Sequence, residues 1–388
     1  MDVLHTIPYL DSEAGGPAVA VGEYTAGLAA LGCHLTIGST RTAGGGGLVG
    51  VDERIELLMG DVPADNALRY SPQLARKLKA YRGELVHSHG LWTHVSYLSG
   101  RLARRRSIPH VLAPCGMLQP GALRRSGWKK RIVRFLFQDR VLGGADCLHA
   151  KSDAEYRGIR AFGLENPVAL VPNPVRGSEP RSAAQQARFR RAHGIPDRKK
   201  LLLFLGRLHP VKGLGRLIRA WDGLRDQHRE WHLTIVGPDE GGHRSDLEEL
   251  AGTLGRDDSI TFTGSLVGTD KSDVLCASDL FVMPSDFENF GTAIAEAMLA
   301  GLPVVTTTGT PWHELQEQEA GWWVNPDADA LRGALGEAMS LTAADRRVRG
   351  ERARRMAELF RPVPVARRLL SVYEWLLGES ERPECVRM

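Results

Sequence analysis

The sequence predicts an α/β protein built from two parallel-sheet domains, and three observations carry that reading. Short apolar runs alternate with helical patterns along most of the chain, as they do where crossover helices link parallel strands. The 388 residues suffice for two domains with full cores. The stretch from Arg176 to Lys200 turns polar before a wholly apolar run at Leu201–Leu205, which sets a domain boundary after residue 175.

Composition excludes several classes. With 43% hydrophobic and 25% charged residues, the chain is neither fibrous nor disordered. No apolar run approaches the roughly 20 residues of a membrane span. The opening MDVLHTIPYLDSEAGG lacks the apolar core of a signal peptide. Five scattered cysteines argue against a disulfide framework and for a reducing cytosol. No Cys/His spacing suggests zinc, and the rings of His87 and His89 are expected to face opposite ways on their strand. Net charge is only +4, but Arg101–Arg140 holds eleven Lys/Arg against one acid, Asp139.

In the first half, Asp2–Ile7 reads as a buried strand. Gly15-Gly16-Pro17 reads as a loop leading to a helix, Ala18–Leu31, capped by Gly32. His34–Thr40 is the next strand, and Ala43–Leu48 a glycine-rich mobile loop. Leu85–His89 ends in HSHGLW. Ligands of open α/β sheets gather at the carboxyl ends of strands, so His89 and Trp92 are acceptor-side candidates. His110–Pro114 leads to Cys115-Gly116-Met117-Leu118. The stretch Ala122–Leu142 reads as one helix. Its cations beside Trp128 and two Phe are the pattern of an interfacial helix on anionic lipid, and no nucleic-acid motif accompanies them. Ala145–Lys151 and Val168–Pro172 complete this set.

In the second half, Leu201–Leu205 leads into Gly206-Arg207-Leu208-His209-Pro210-Val211-Lys212-Gly213. This places two cations, Arg207 and Lys212, beside a strand end, where they suit a diphosphate. Trp231–Gly237 and Ser259–Gly264 read as strands. Ser245–Leu254 and Asp273–Asp279 read as helices, the final helices reach about Gly378, and Glu379–Met388 is expected to fray.

The centre of the chain is MPSDFENFGTAIAEAMLAG, Met283–Gly301. A strand-like run precedes it, and its helix is apolar except for Glu296. Such a helix is a buried one, and its carboxylate needs a partner. Glu288 sits just before the helix, and the amides of Phe290, Gly291 and Thr292 fall at its N-terminus, where anions bind. A diphosphate flanked by two carboxylates fits a nucleotide-sugar. The bland alternative is a loop acid and a core ion pair.

Glu288, seven residues, then Glu296, with Phe290-Gly291 after the first Glu, resembles the signature of the family-4 type retaining glycosyltransferases of GT-B fold. The likeness covers nearly the whole chain. It implies two Rossmann-like domains facing a central cleft: an acceptor domain over 1–175 and a nucleotide-sugar donor domain over 176–361. The C-terminal helix, about 362–378, would return to the first. Carried over, Gly15 and Gly16 would approach the diphosphate. Arg207 and Lys212 would neutralise it, Glu288 would orient the sugar, and Phe290, Gly291 and Thr292 would give amides. Glu296 would hold the ribose. Glu288, Arg207 and Lys212 are the implied catalytic set, and His89, Trp92, Cys115 and Gly116 the acceptor-side one.

The resemblance further implies no bound metal, the cations serving instead. It implies transfer of a hexose from a UDP- or GDP-sugar to a hydroxyl of a glycan or lipid-linked acceptor. The setting would be bacterial surface polysaccharide or lipopolysaccharide synthesis, on the cytoplasmic side and peripheral to the membrane. A nucleotide-sugar epimerase and a weakly catalytic binding subunit stay open beside it. Glu288 and Glu296 would stand on the order of 10 Å apart on a helical rise. That is wider than the roughly 5–9.5 Å of paired-carboxylate hydrolases, so front-face attack is expected. Two departures stand out. Cys115 replaces the His that many relatives carry there, a weaker hydrogen-bonding group. Pro174 replaces the glycine usual after Asn173, which stiffens the backbone.

Overall fold

A computed structural model describes every residue except 11–15, 43–49, 64–65, 125–126, 178–181 and 256. Gly15 and the glycine-rich stretch 43–48 therefore lie outside the described residues. The chain divides into two compact units, Met1–Val175 with Phe360–Met388, and Arg176–Leu359.

The strands in chain order are β1 (Asp2–Tyr9), β2 (His34–Thr42), β3 (Glu56–Val62), β4 (Leu85–His89), β5 (His110–Ala113), β6 (Cys147–Ala150) and β7 (Val168–Leu170). They continue with β8 (Lys200–Leu205), β9 (Trp231–Val236), β10 (Ile260–Gly264), β11 (Leu280–Met283), β12 (Val304–Thr307), β13 (Gly321–Val324) and β14 (Val386–Arg387).

The first unit holds one sheet in the order β14-β7-β6-β5-β4-β1-β2-β3, parallel except for β14. The second holds β10-β9-β8-β11-β12-β13, all parallel. The central strands are buried along their length; β11 (LFVM) accordingly reads as a continuous apolar run, whereas β4 (LVHSH) buries polar side chains.

Several elements differ from the sequence reading. The strand β3 and the helix Pro72–Ala80 were not foreseen. Ser71 caps that helix by accepting from the Leu74 N–H, a start signal that is legible in Ser-Pro. Gly16 opens the first helix, Gly16–Ala30, rather than sitting in the loop before it. The helix expected at Asp273 begins at Gly268. The single helix expected over Ala122–Leu142 is instead Pro120–Arg124, Gly127–Val133, a π-helical turn Arg134–Gln138 and Asp139–Gly143. The terminus does not fray. Val386 is buried, β14 pairs with β7, and Arg387 binds Asp153 at 2.6 Å.

The helix Pro362–Leu376 belongs to the first unit and packs on Gly16–Ala30. Gly27 permits this. A Cβ there would stand 2.5 Å from the Pro362 carbonyl oxygen and 2.9 Å from the Ala366 Cβ. Gly27→Ala is therefore expected to cost about 1–3 kcal/mol by overpacking. Gly333→Ala, in a helix where a Cβ meets nothing, should gain about 0.5–1 kcal/mol. Denaturant unfolding of the two variants measures both signs.

Candidate active site

In the second unit three loops converge at the carboxyl ends of adjacent strands β8, β11 and β12. Backbone bonds lace them together: Asp286 N–H donates to the Val211 carbonyl (2.8 Å), and Glu288 N–H to that of Gly309 (2.9 Å). Two glycines make the approach feasible. Gly213 has φ +69, and a Cβ there would lie 2.2 Å from the Pro284 carbonyl oxygen. At Gly309 it would lie 2.4 Å from that of Asp286.

This frame carries the charged groups the sequence singled out. Lys212 bonds Glu288 Oε1 (2.5 Å), and that oxygen also accepts from the Ser285 hydroxyl (2.8 Å). Arg207 Nη1 donates to the Glu240 carboxylate. Glu296, on the helix Thr292–Leu299, receives Lys271 at 2.7 Å. Glu288 and Glu296 are each only 12% exposed, so both carboxylates depend on their cations. Gly291 caps this helix at φ +83, and the Trp312 indole N–H donates to the Phe290 carbonyl (2.6 Å). Lys271, Glu240, Ser285 and the Arg216–Asp286 pair at 2.5 Å escaped the sequence reading. Lys271 and Glu240 look like any surface charge and lie 25 and 33 residues from their partners, Arg216 lies 70 from Asp286, and Ser285 is local but an ordinary turn residue.

The first unit gathers a different chemistry. His87 and His89, two apart on β4, share a face, so the expectation of opposed rings was wrong by one step of the strand period. His5, His87 and His89 bring one nitrogen each within 4.8 Å of one another, all buried. That is near enough for a metal ion, yet five of their six ring nitrogens already have partners. His5 Nδ1 meets His89 Nε2 (3.1 Å) and His87 Nε2 meets His149 Nδ1 (3.1 Å). The Tyr373 hydroxyl bridges His87 (2.6 Å) and His5 (3.2 Å). Only His89 Nδ1 is left over. Burial, aided by the neighbouring histidine, pushes His5 down to about 3. Burial and the Lys151 ammonium do the same for His149.

Cys115 and Gly116 form a left-handed turn after β5, with φ +55 and +77. The buried Glu155 carboxylate holds it, accepting from the Gly116 N–H (2.5 Å) and the Lys151 N–H (2.9 Å). The Lys151 ammonium lies 3.2 Å from the Cys115 sulfur. Trp92 packs against the core cluster around Leu112 and Leu148, and its backbone N–H donates to the Gln138 side-chain oxygen (2.8 Å).

Comparison with known proteins accords with this geometry. The glycosyl transferase 4-like domain matches residues 15–174, and glycosyl transferases group 1 matches 185–356. The chain is 30% identical over 328 residues to D-inositol 3-phosphate glycosyltransferase 2 of Catenulispora acidiphila, covering 78% of this chain and 77% of that protein. The chain thus belongs to the group 1, GT4-type family of glycosyltransferases. It is 37% identical over 150 residues to an uncharacterized glycosyltransferase of Methanocaldococcus jannaschii. Of that relative and of a Streptomyces bingchenggensis inositol 3-phosphate glycosyltransferase, the match spans 38% and 51% of the length. Sucrose-phosphate synthase from Thermosynechococcus elongatus superposes with TM-score 0.78 at 20% identity over 98% of this chain and 100% of that one. Anabaena HepE with UDP and glucose gives 0.74 at 18%, and WaaG, of lipopolysaccharide biosynthesis, 0.70 at 18%; each covers 97% of this chain and 100% of the other. These likenesses show the fold, GT-B.

The buried histidines set a pH dependence. Their folded pKa values lie below the ordinary 6.5, so the unfolded chain binds the extra protons. Stability is fully present above about pH 6.5 and is lost as pH falls towards 3, on the order of 1 kcal/mol per histidine per pH unit. His149→Gln should flatten that slope. A melting temperature unchanged between neutral pH and about pH 5 would refute it.

Proposed function

We propose that the protein transfers a hexose, with retention, from a UDP- or GDP-sugar to a hydroxyl of a glycan or lipid-linked acceptor in bacterial surface polysaccharide synthesis. The observation that carries this reading is the Lys212–Glu288–Ser285 cluster on the loops after β8 and β11, with Glu296 on the helix that follows. The UDP bound in the Anabaena HepE structure and the part of WaaG in lipopolysaccharide biosynthesis lend it support.

The residues divide the work. An arriving diphosphate takes Lys212 and Arg207 from their carboxylate partners and stabilises itself against both cations. Glu288, released, accepts from hydroxyls of the donor sugar, and Glu296 from those of the ribose. The amides of Phe290, Gly291 and Thr292 face the phosphates at the helix start. As the glycosidic bond breaks, charge grows on the leaving phosphate, and Lys212 and Arg207 stabilise it there. The same phosphate takes the proton of the attacking hydroxyl. In the first unit, Lys151 supplies a donor at the Cys115 turn, where relatives present His. The basic stretch Arg124–Arg140, whose Trp128 and Phe135 are exposed, rests on an anionic membrane surface.

Titration calorimetry with UDP-, GDP- and ADP-sugars is expected to find one nucleotide bound, and Glu296→Ala to abolish the signal. Lys212→Ala should lower kcat about 10²–10³-fold, the loss seen when one transition-state donor is removed. Nucleotide release should depend on acceptor, which an epimerase would not require. Full turnover in Lys212→Ala, or no nucleotide binding, would overturn the reading.

A further inference from the structure

We propose that a groove in the first unit, between the helix His94–Arg106 and the segment Arg134–Gly143, binds the phosphate headgroup of an anionic lipid. This rests on the membrane reading above and gives it a defined site.

The groove has a volume of about 560 Å³, and Arg101, Arg104, Arg105 and Arg140 line it together with Tyr97 and Phe137. Among the described residues no carboxylate lines it. Arg101 is held by the Tyr97 hydroxyl (3.1 Å). Arg104, Arg105 and Arg140 have no ion pair among the described residues. The nearby acid, Asp139, is already engaged by Arg134 at 2.9 Å. Four guanidinium groups gathered without a counterion repel one another until an anion joins them. Their forked N–H groups match phosphate oxygens.

The groove's edge says which phosphate. Leu136 lines it and is 64% exposed. Trp128, Ile132 and Leu136 follow at four-residue spacing, and Phe135 beside them is 91% exposed. Such an apolar ridge has no use in water. It suits insertion at the acyl boundary while the cations meet headgroups. The π-helical turn Arg134–Gln138 builds this arrangement. It buries Gln138, whose side-chain amide oxygen accepts from the Trp92 backbone N–H at 2.8 Å. It also lays Phe137 edge-on against Tyr97, ring centres 5.5 Å apart. Phe135 and Leu136 are left facing outward. A regular helix would rotate these positions relative to one another. A soluble anion would need the arginines but not the ridge, whereas a lipid needs both, side by side.

Flotation of the full chain with phosphatidylcholine vesicles, with and without phosphatidylglycerol, tests the site. The wild type should bind only the anionic vesicles, and less at high salt. Arg104→Gln/Arg140→Gln should weaken binding about thirty-fold, at roughly fivefold per cation. Phe135→Ser/Leu136→Ser should weaken it too. Arg347→Gln/Arg355→Gln, which removes equal charge from the second unit, should change nothing. Near-native circular dichroism and unchanged nucleotide binding would show that the variants fold. If the wild type ignores anionic vesicles, the membrane reading itself fails and the proposal with it. If the wild type binds but the groove and control variants lose affinity equally, the membrane reading stands and the headgroup site falls. If inorganic pyrophosphate binds the groove tightly and the Phe135/Leu136 variant floats normally, the site takes a soluble anion and the lipid proposal is overturned.

Discussion

The second unit depends on backbone meeting backbone without a side chain between. Gly213 lies under the Pro284 carbonyl and Gly309 under those of Ser285 and Asp286. A Cβ at either position would stand within 2.5 Å of a carbonyl oxygen, closer than any relaxation of a side chain could relieve. Because these contacts hold, the loop after β8 and the loop after β11 form one surface. Lys212 then reaches Glu288 from 76 residues away in the chain. Glycine's freedom at φ +69 is what Gly213 contributes. The charged groups on that surface inherit their positions from it.

Much of this was legible, and the limits have physical causes. Strands buried on both faces announce themselves as apolar runs, so β8 and β11, and with a polar interruption or two β1, β5 and β9, could be read directly. Glu288 and Glu296 stood out because a carboxylate in an apolar helix, or one just before it, is an anomaly. Their partners did not. Lys271 is one lysine among many until a helix packs it beside Glu296. Tyr373 lies 286 residues from His87, and no local pattern marks that pairing. The edge strand β14 is two residues long, below any periodic signal. The π-helical turn was invisible for a similar reason: its residues are ordinary helix formers, and only the burial of Gln138 fixes the extra residue in the turn.

The first unit solves a different problem. Four buried histidines, His5, His87, His89 and His149, would be intolerable if charged. They stay neutral by burial, and every ring nitrogen but His89 Nδ1 is partnered, by another of the four, by Tyr373 or by the Val171 carbonyl. Tyr373 closes the network from the helix Pro362–Leu376, so the last long helix is fastened to the sheet by polar bonds as well as by the Gly27 packing. Acid loosens the polar bonds, since a protonated pair of facing nitrogens has no acceptor between them. The resulting rigidity reaches the Cys115 turn through Lys151, whose charge acts on His5's neighbours and whose ammonium touches the sulfur.

Set side by side, the units differ in how they hold charge, and the difference has a consequence for ligands. In the first, the buried histidines are neutral, Lys151 is buried just past the end of β6 with its N–H on the buried Glu155 carboxylate, and Arg140 lies on the surface. In the second, each cation at the strand ends is matched to a carboxylate: Lys212 to Glu288, Lys271 to Glu296, Arg207 to Glu240. A matched pair keeps its cation in place at little desolvation cost, because neither charge is left alone. It also filters what can enter. A neutral sugar cannot displace a carboxylate from lysine, and a bare anion would free the carboxylate with nothing to occupy it. A ligand carrying phosphates and hydroxyls together satisfies both halves of each pair, the phosphates taking the cations while the hydroxyls donate to the released carboxylates. Pairing thus favours a molecule of mixed chemistry over either of its parts.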